Sequence, residues 1–223
     1  DMDAVLSAGD LWTGGMETTL TALRWALIHL MLNQDIQETL FEEIHTIYPK
    51  RENNEISYRN REQTPYLLAC IDEVLRVGNI LPWNIPHRTQ EEITIKGHTI
   101  PEGSNMMFSF SSLNHNEEYF PEPYVFNPER FLRRTPFKEE EREVEHGKPF
   151  LKYQSNEKFL PFGYGKRKCP GEVLAKQELY VFLINLITRY RFEVDPANPP
   201  NLVRSMGMTS TPKEYLVKIT RRS

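Results

Sequence analysis

The densest chemistry in this 223-residue chain lies in Pro161-Phe162-Gly163-Tyr164-Gly165-Lys166-Arg167-Lys168-Cys169-Pro170-Gly171. Gly163 and Gly165 permit a tight backbone reversal, because glycine takes positive φ at little steric cost. The basic triplet leads straight into Cys169. Beyond Gly171 the apolar residues Val173, Leu174, Leu179, Phe182, Leu183, Leu186 and Ile187 recur at helical spacing. Cys169 is therefore expected at or just before a helix N-terminus, where the helix dipole and the neighbouring cations favour a thiolate. A thiolate so placed is a soft metal ligand or a nucleophile. The residues alone leave a plainer assignment open, a packing cysteine beside a solvated basic triplet.

Two further groups stand out. Gly14-Gly15-Met16-Glu17-Thr18-Thr19 falls inside a stretch, about 5 to 32, whose apolar pattern predicts one long helix. Each helical glycine costs about 1 kcal/mol relative to Ala, so the pair serves either close helix packing or access to the backbone. A threonine hydroxyl there can bond back to the preceding turn and open a groove. Glu73 and Arg76 lie one turn apart on a helix that should start at Thr64-Pro65, with Thr64 as N-cap and Pro65 first, and stop at Gly78. By spacing alone they are a solvated i,i+3 pair worth a few tenths of a kcal/mol.

Phe162, Gly165, Arg167, Cys169 and Gly171 together resemble the haem-binding signature of the cytochrome P450 family, Phe-x-x-Gly-x-Arg-x-Cys-x-Gly. Members of that family bind haem through a cysteine thiolate, which pushes electron density toward the iron and favours O–O cleavage. Gly14-Gly15-x-Glu17-Thr18 is similar to the family's motif on the helix crossing the distal haem face. Glu73-x-x-Arg76 is similar to its Glu-x-x-Arg, and Pro128-Glu129-Arg130-Phe131 to the stretch supplying a third partner. The resemblance implies a mainly α fold with small β-sheets, the C-terminal portion of the cytochrome P450 fold, with residues 1–223 part of one domain and its N-terminal half absent.

The same resemblance assigns roles. Cys169 would be the axial ligand of a haem b iron, with Phe162, Gly163, Gly165 and Gly171 shaping the loop around it. Arg167 and His87 would bind haem propionates, Arg88 being an alternative to His87. Gly14 and Gly15 would leave room for dioxygen, while Glu17 and Thr18 relay protons. Glu73, Arg76 and Arg130 would lock the proximal side structurally. Ile80, Leu81, Ile85, Met206 and Met208 would face a small apolar organic substrate. Two electrons would come from NADPH through a reductase, or from a ferredoxin, docking near Lys166 and Lys168. The pattern looks like eukaryotic microsomal members, implying an endoplasmic-reticulum protein held by an N-terminal segment outside this chain. Two other readings are kept: a non-catalytic haem-binding fragment, and a haem-thiolate isomerase or dehydratase needing no external electrons.

Composition narrows the field. A formal net charge of −4 gives no footing for nucleic acid. Two cysteines, Cys70 and Cys169, exclude a disulfide framework and a Cys-x-x-Cys zinc site. No stretch has the length of an apolar transmembrane helix. A second helix is expected over 33–48, stopped by Pro49, and then a charged surface loop over 50–63. Strands are expected at 92–95 and 99–100 across Lys96-Gly97-His98, at 105–108, at 191–194 and at 216–219, with a hairpin tip at 206–211. Residues 113–131 read as irregular packed structure, and 133–158 as a solvated charged loop.

Overall fold

The computed structural model describes residues 2–49, 57–135 and 150–222. Four helices carry the core: α1 (Met2–Leu32), α2 (Gln34–Ile47), α3 (Pro65–Gly78) and, after the short α4 (Phe110–Asn114), α5 (Glu172–Arg189). α3 is buried along nearly its whole length, from Tyr66 to Gly78, and packs against α1, α5 and the following irregular segment. Its first turns, Tyr66–Ile71, carry no charge, and even the charged Asp72, Glu73 and Arg76 further along are buried, as in a helix enclosed by its neighbours. α1 divides in two. Its C-terminal part buries Ala22, Trp25, Ala26, Ile28, Leu30 and Met31, whereas residues 2–17 are exposed throughout, a stretch of about 24 Å at the ordinary helical rise.

The strands form five two-stranded antiparallel sheets among the described residues. These pair β1 (His87–Arg88) with β4 (Asn105–Met106), β2 (Ile93–Ile95) with β3 (His98–Ile100), and β5 (Leu132–Thr135) with β6 (Phe150–Tyr153). Nearer the C-terminus β7 (Tyr190–Glu193) pairs with β10 (Lys218–Arg221), and β8 (Arg204–Met206) with β9 (Ser210–Pro212). The architecture is thus helical with small sheets at its margins, as expected.

Several local expectations are corrected. Thr64 occupies the N-cap position of α3 but its side chain does not cap; its hydroxyl meets Arg61 O and the Tyr180 hydroxyl, each at 3.0 Å. The cap comes instead from α2: both Glu43 carboxylate oxygens accept from α3 amides, Tyr66 N at 2.7 Å and Leu67 N at 2.9 Å. Burial pushes the Glu43 carboxyl up to about 7 against the pull of these two amides. Gly78 is still helical, and the stop is Asn79 in the left-handed region at φ 43°. His98 belongs to a strand, so the turn is the two-residue Lys96-Gly97, both at positive φ, as a tight hairpin requires. The strand at 105–108 ends at Met106, and those at 191–194 and 216–219 are shifted to 190–193 and 218–221.

Two expected loops are partly ordered. Residues 58–63 form a 3-10 turn, while 50–56 lie outside the described residues. The expected loop over 133–158 is bracketed by the β5–β6 ladder, and the charged run 138–143 lies outside the described residues. The ladder forms because Leu132 and Tyr153, opposite one another, pack against the core formed by α3 and its neighbours. Local charge density conveys nothing of that long-range pairing.

His29 on α1 is stacked between Trp25 and Phe126, buried, with Nε2 lacking any partner among the described residues. Burial, aided by the Arg204 and Arg76 charges, holds its pKa down at about 3 against an ordinary value of 6.5. A base depressed on folding contributes stability that is complete above pH 6.5 and drains away as pH falls toward 3. Stability should therefore drop by up to about 1.4 kcal/mol per pH unit in that window. Urea midpoints at pH 7 and pH 4 should converge in His29→Leu relative to the parent; an equal acid loss in both would refute this.

Candidate functional site

The loop ahead of α5 is built by backbone bonds. Gly163 N donates to Leu160 O at 3.1 Å, Lys168 N to Gly165 O at 3.2 Å, and Cys169 N to Phe162 O at 2.8 Å. Gly163 and Gly165 have φ of 79° and 78°, values that a side chain would strain. A 3-10 turn, Gly165–Arg167, carries the basic residues outward, and Gly171 is the N-cap residue of α5. Cys169 is thus fixed two residues before the helix cap, partly exposed, where the sequence places it. A Cβ at Gly171 would rest 3.8 Å from its Sγ, so the glycine keeps the flank of the sulfur open.

Arg167 and Lys166 are exposed and make no ion pair among the described residues, while Lys168 reaches Glu172 at 3.7 Å. His87 begins β1; its Nδ1 lies 2.7 Å from Ile85 O and 3.0 Å from Asn84 Nδ2. No motif singles out Asn84, yet it pins this segment: its side chain accepts from Phe108 N at 2.6 Å and its backbone N–H donates to Phe108 O at 3.1 Å. Its only sequence signal is its place between Pro82 and Pro86.

On α1 the Thr18 hydroxyl donates to Gly14 O at 2.7 Å, the back-bond expected of that motif. A Cβ added at Gly14 or Gly15 would meet no atom within 4 Å, so no helix of the described chain packs on them. Close packing among the described residues is excluded as their purpose. Glu17 accepts from the Thr209 hydroxyl at 3.4 Å, which joins it to the β8–β9 hairpin. That hairpin is anchored at its base: Ser210 N donates to Ile80 O at 2.7 Å, and Trp25 Nε1 to Ser210 O at 2.9 Å. Arg204 stacks on Trp25 and donates to the carbonyls of Val77 and Gly78, closing the C-terminus of α3.

Among the apolar candidates, Ile80 and Leu81 are half-buried, whereas Ile85 is 69% and Met208 85% exposed. Met206 pairs through its backbone with Ser210; its side chain lies outside the described residues. The geometry therefore gathers Glu17, Ile80 and the β8–β9 hairpin beside the middle of α1. Among the described residues no hydrogen bond links Glu17 or Thr18 to the Cys169 loop.

Glu73 and Arg76 are fully buried, not solvated. Arg76 grips Glu73 in a fork, Nε to Oε2 at 2.7 Å and Nη2 to Oε1 at 2.8 Å, and Arg130 Nε adds a bond at 3.1 Å. Asn127 N donates to the same carboxylate at 2.8 Å. The remaining guanidinium donors reach carbonyls: Arg76 those of Asn114 and Pro123, both at 2.7 Å, and Arg130 those of Pro121, Glu122 and Val125. α3 is thereby tied to the whole 114–131 segment.

The residues present fit a haem. One partly exposed thiol sits on a fixed loop with its flank open, the exposed Arg167 guanidinium stands two residues before it, and open backbone lies at Gly14 and Gly15. No group of three or more His, Cys, Asp or Glu among the described residues could hold a bare metal ion, so iron would need a carrier supplying its other ligands.

The cytochrome P450 family model matches residues 1–219. A 3-ketosteroid oxygenase of Caenorhabditis elegans is 36% identical over 98% of this chain and 36% of its own length. Cytochrome P450 2U1 of Homo sapiens is 34% identical over 96% of this chain and 36% of its length. A zebra fish cytochrome P450 solved with abiraterone superposes with a TM-score of 0.82 at 28% identity, covering 97% of this chain and 48% of that one. The chain belongs to the cytochrome P450 family, and it spans roughly a third of the length of the curated relatives it matches.

Removing the Glu73 charge would strand Arg76 in the core. Glu73→Gln should destabilise the chain by about 3–5 kcal/mol, the cost of breaking a buried pair from one side, whereas Arg130→Lys should cost clearly less. Urea unfolding of both variants measures this; a near-neutral Glu73→Gln would contradict the network's importance.

Proposed function

We propose that this chain is the haem-bearing part of a monooxygenase that inserts one atom of dioxygen into a small apolar organic substrate. The observation that carries the reading is Cys169, held by its amide on Phe162 O at 2.8 Å ahead of α5, on a reversal that Gly163 and Gly165 make possible. Cys169 would hold the iron of haem b, with Phe162, Gly165 and Gly171 framing it and Arg167 and His87 serving the propionates. When bound, the haem supplies dioxygen activation and the oxidation of the substrate.

The chain's own residues do the rest. The Thr18 hydroxyl donates to Gly14 O within α1, and the exposed Glu17 carboxylate stands beside it, the two groups that would serve a proton relay. Gly14 and Gly15 keep that face clear of side chains. Ile80, whose carbonyl accepts from the hairpin's Ser210, and the exposed Ile85 and Met208, with half-buried Leu81, would supply apolar surface suited to excluding water around an apolar ligand. Glu73, Arg76 and Arg130 hold α3 and the 114–131 segment rigid. The Glu17–Thr18 arrangement favours oxygen activation over an isomerase or dehydratase, which would have no use for a proton relay.

Electrons would arrive from an NADPH-dependent reductase or a ferredoxin at the exposed Lys166–Lys168 surface. The resemblance of the Cys169 motif to eukaryotic microsomal members supports an endoplasmic-reticulum setting; no helix among the described residues is long and apolar enough to cross a membrane. The relative named as a 3-ketosteroid oxygenase makes a 3-ketosteroid the first substrate to try.

The test is turnover of a 3-ketosteroid by the full-length protein with reductase and NADPH, beside Thr18→Val. Oxygenated product is expected from the parent. Thr18→Val should still consume dioxygen, with product per dioxygen cut by about a hundredfold or more, the scale of a lost proton-transfer group. Electron-independent conversion of substrate, unchanged by Thr18→Val, would favour the isomerase reading instead.

A further inference from the structure

Next to Glu73 on α3 stands a second buried carboxylate with a different set of partners. Asp72 is 3% exposed; one oxygen accepts from the Tyr153 hydroxyl of β6, and the other lies 3.9 Å from Lys176 Nζ on α5. Lys176 is also 3.3 Å from Glu172, one turn earlier on its own helix. Its ammonium stands 5.5 Å from the centroid of the Phe162 ring. Phe162 opens the thiolate loop, and its carbonyl is the acceptor for the Cys169 amide. A charge fixed by two carboxylates thus presses on the residue that closes the loop around Cys169.

Each link has a physical reason to hold. The cation favours the electron-rich face of the ring. Burial raises the Asp72 carboxyl, and Lys176 together with the Tyr153 hydroxyl pulls it back toward the ionised form. Lys176 is about a quarter exposed, so its field is only partly screened. Apart from Phe162, none of these residues belongs to the motifs that define the haem site.

We propose that Lys176, held by Asp72 and Glu172 over Phe162, is a positioning residue that seats the thiolate loop and sets how readily the haem iron accepts its electron. This rests on the haem-thiolate reading above. One-electron reduction of ferric to ferrous iron adds a negative charge beside an already anionic sulfur. A cation one ring away favours that reduced state, and a carboxylate behind the cation opposes it.

Dye-mediated dithionite titration of the haem-loaded protein at pH 8 reads the effect, with the carbon-monoxide band of each sample recorded alongside. Lys176→Met should move the reduction potential to more negative values, Asp72→Asn to more positive ones, and Lys176→Arg should stay near the parent. The carbon-monoxide band should remain red-shifted in all. Opposite signs are the signature, because a merely loosened loop that loses its thiolate drives both variants the same way. Should Lys176→Met fail to take up haem, Asp72→Asn decides: a positive shift supports the proposal and no shift overturns it. Unchanged or same-sign potentials with the red-shifted band intact overturn this proposal alone. An unshifted band in the parent overturns the haem-thiolate reading, and the proposal with it.

Discussion

One carboxylate, Glu73, sits in the protein core between two guanidinium groups, and the rest of the site depends on it. Removing three charges from water is costly, and buried ion pairs repay that cost only when every donor and acceptor is satisfied. Here they are: Glu73 takes four hydrogen bonds, and the remaining Arg76 and Arg130 donors end on backbone carbonyls of the 114–131 segment. That segment contains little regular structure to support itself. The network substitutes for a ladder, giving an irregular stretch a definite path beside α3.

From α3 the constraints pass outward in two directions. At its C-terminal end Arg204 closes the last carbonyls and lies on Trp25, which holds the β8–β9 hairpin close to α1. That brings Thr209 to Glu17. On the face next to Glu73, Asp72 reaches Tyr153 and Lys176 and so touches the Cys169 loop through Phe162. Two adjacent carboxylates on one helix therefore serve different sides of the site, about 100° apart as consecutive helical residues must be.

The parts legible in the sequence are those whose physics is local. Gly163 and Gly165 announce a positive-φ reversal, and the apolar spacing after Gly171 announces α5. The Thr18 back-bond to Gly14 follows from a hydroxyl one turn along a helix. What stays hidden depends on partners far along the chain. Spacing makes Glu73 and Arg76 a solvated pair, and only the arrival of residues 114–130 buries them. Thr64 has the right type for a cap, but Glu43, some twenty residues away, takes the amides instead. The β5–β6 ladder is obscured by the charged run between its strands, and Lys176 looks like an ordinary helical surface lysine until Asp72 and Phe162 are placed beside it.

The central claim is that Cys169 presents a thiolate to haem iron. The most direct measurement is the reduced, carbon-monoxide-bound absorption spectrum of the haem-reconstituted chain beside Cys169→His. A strongly red-shifted Soret band in the parent, lost in the variant, is the expected result. A band at the unshifted, imidazole-like position in both would contradict it.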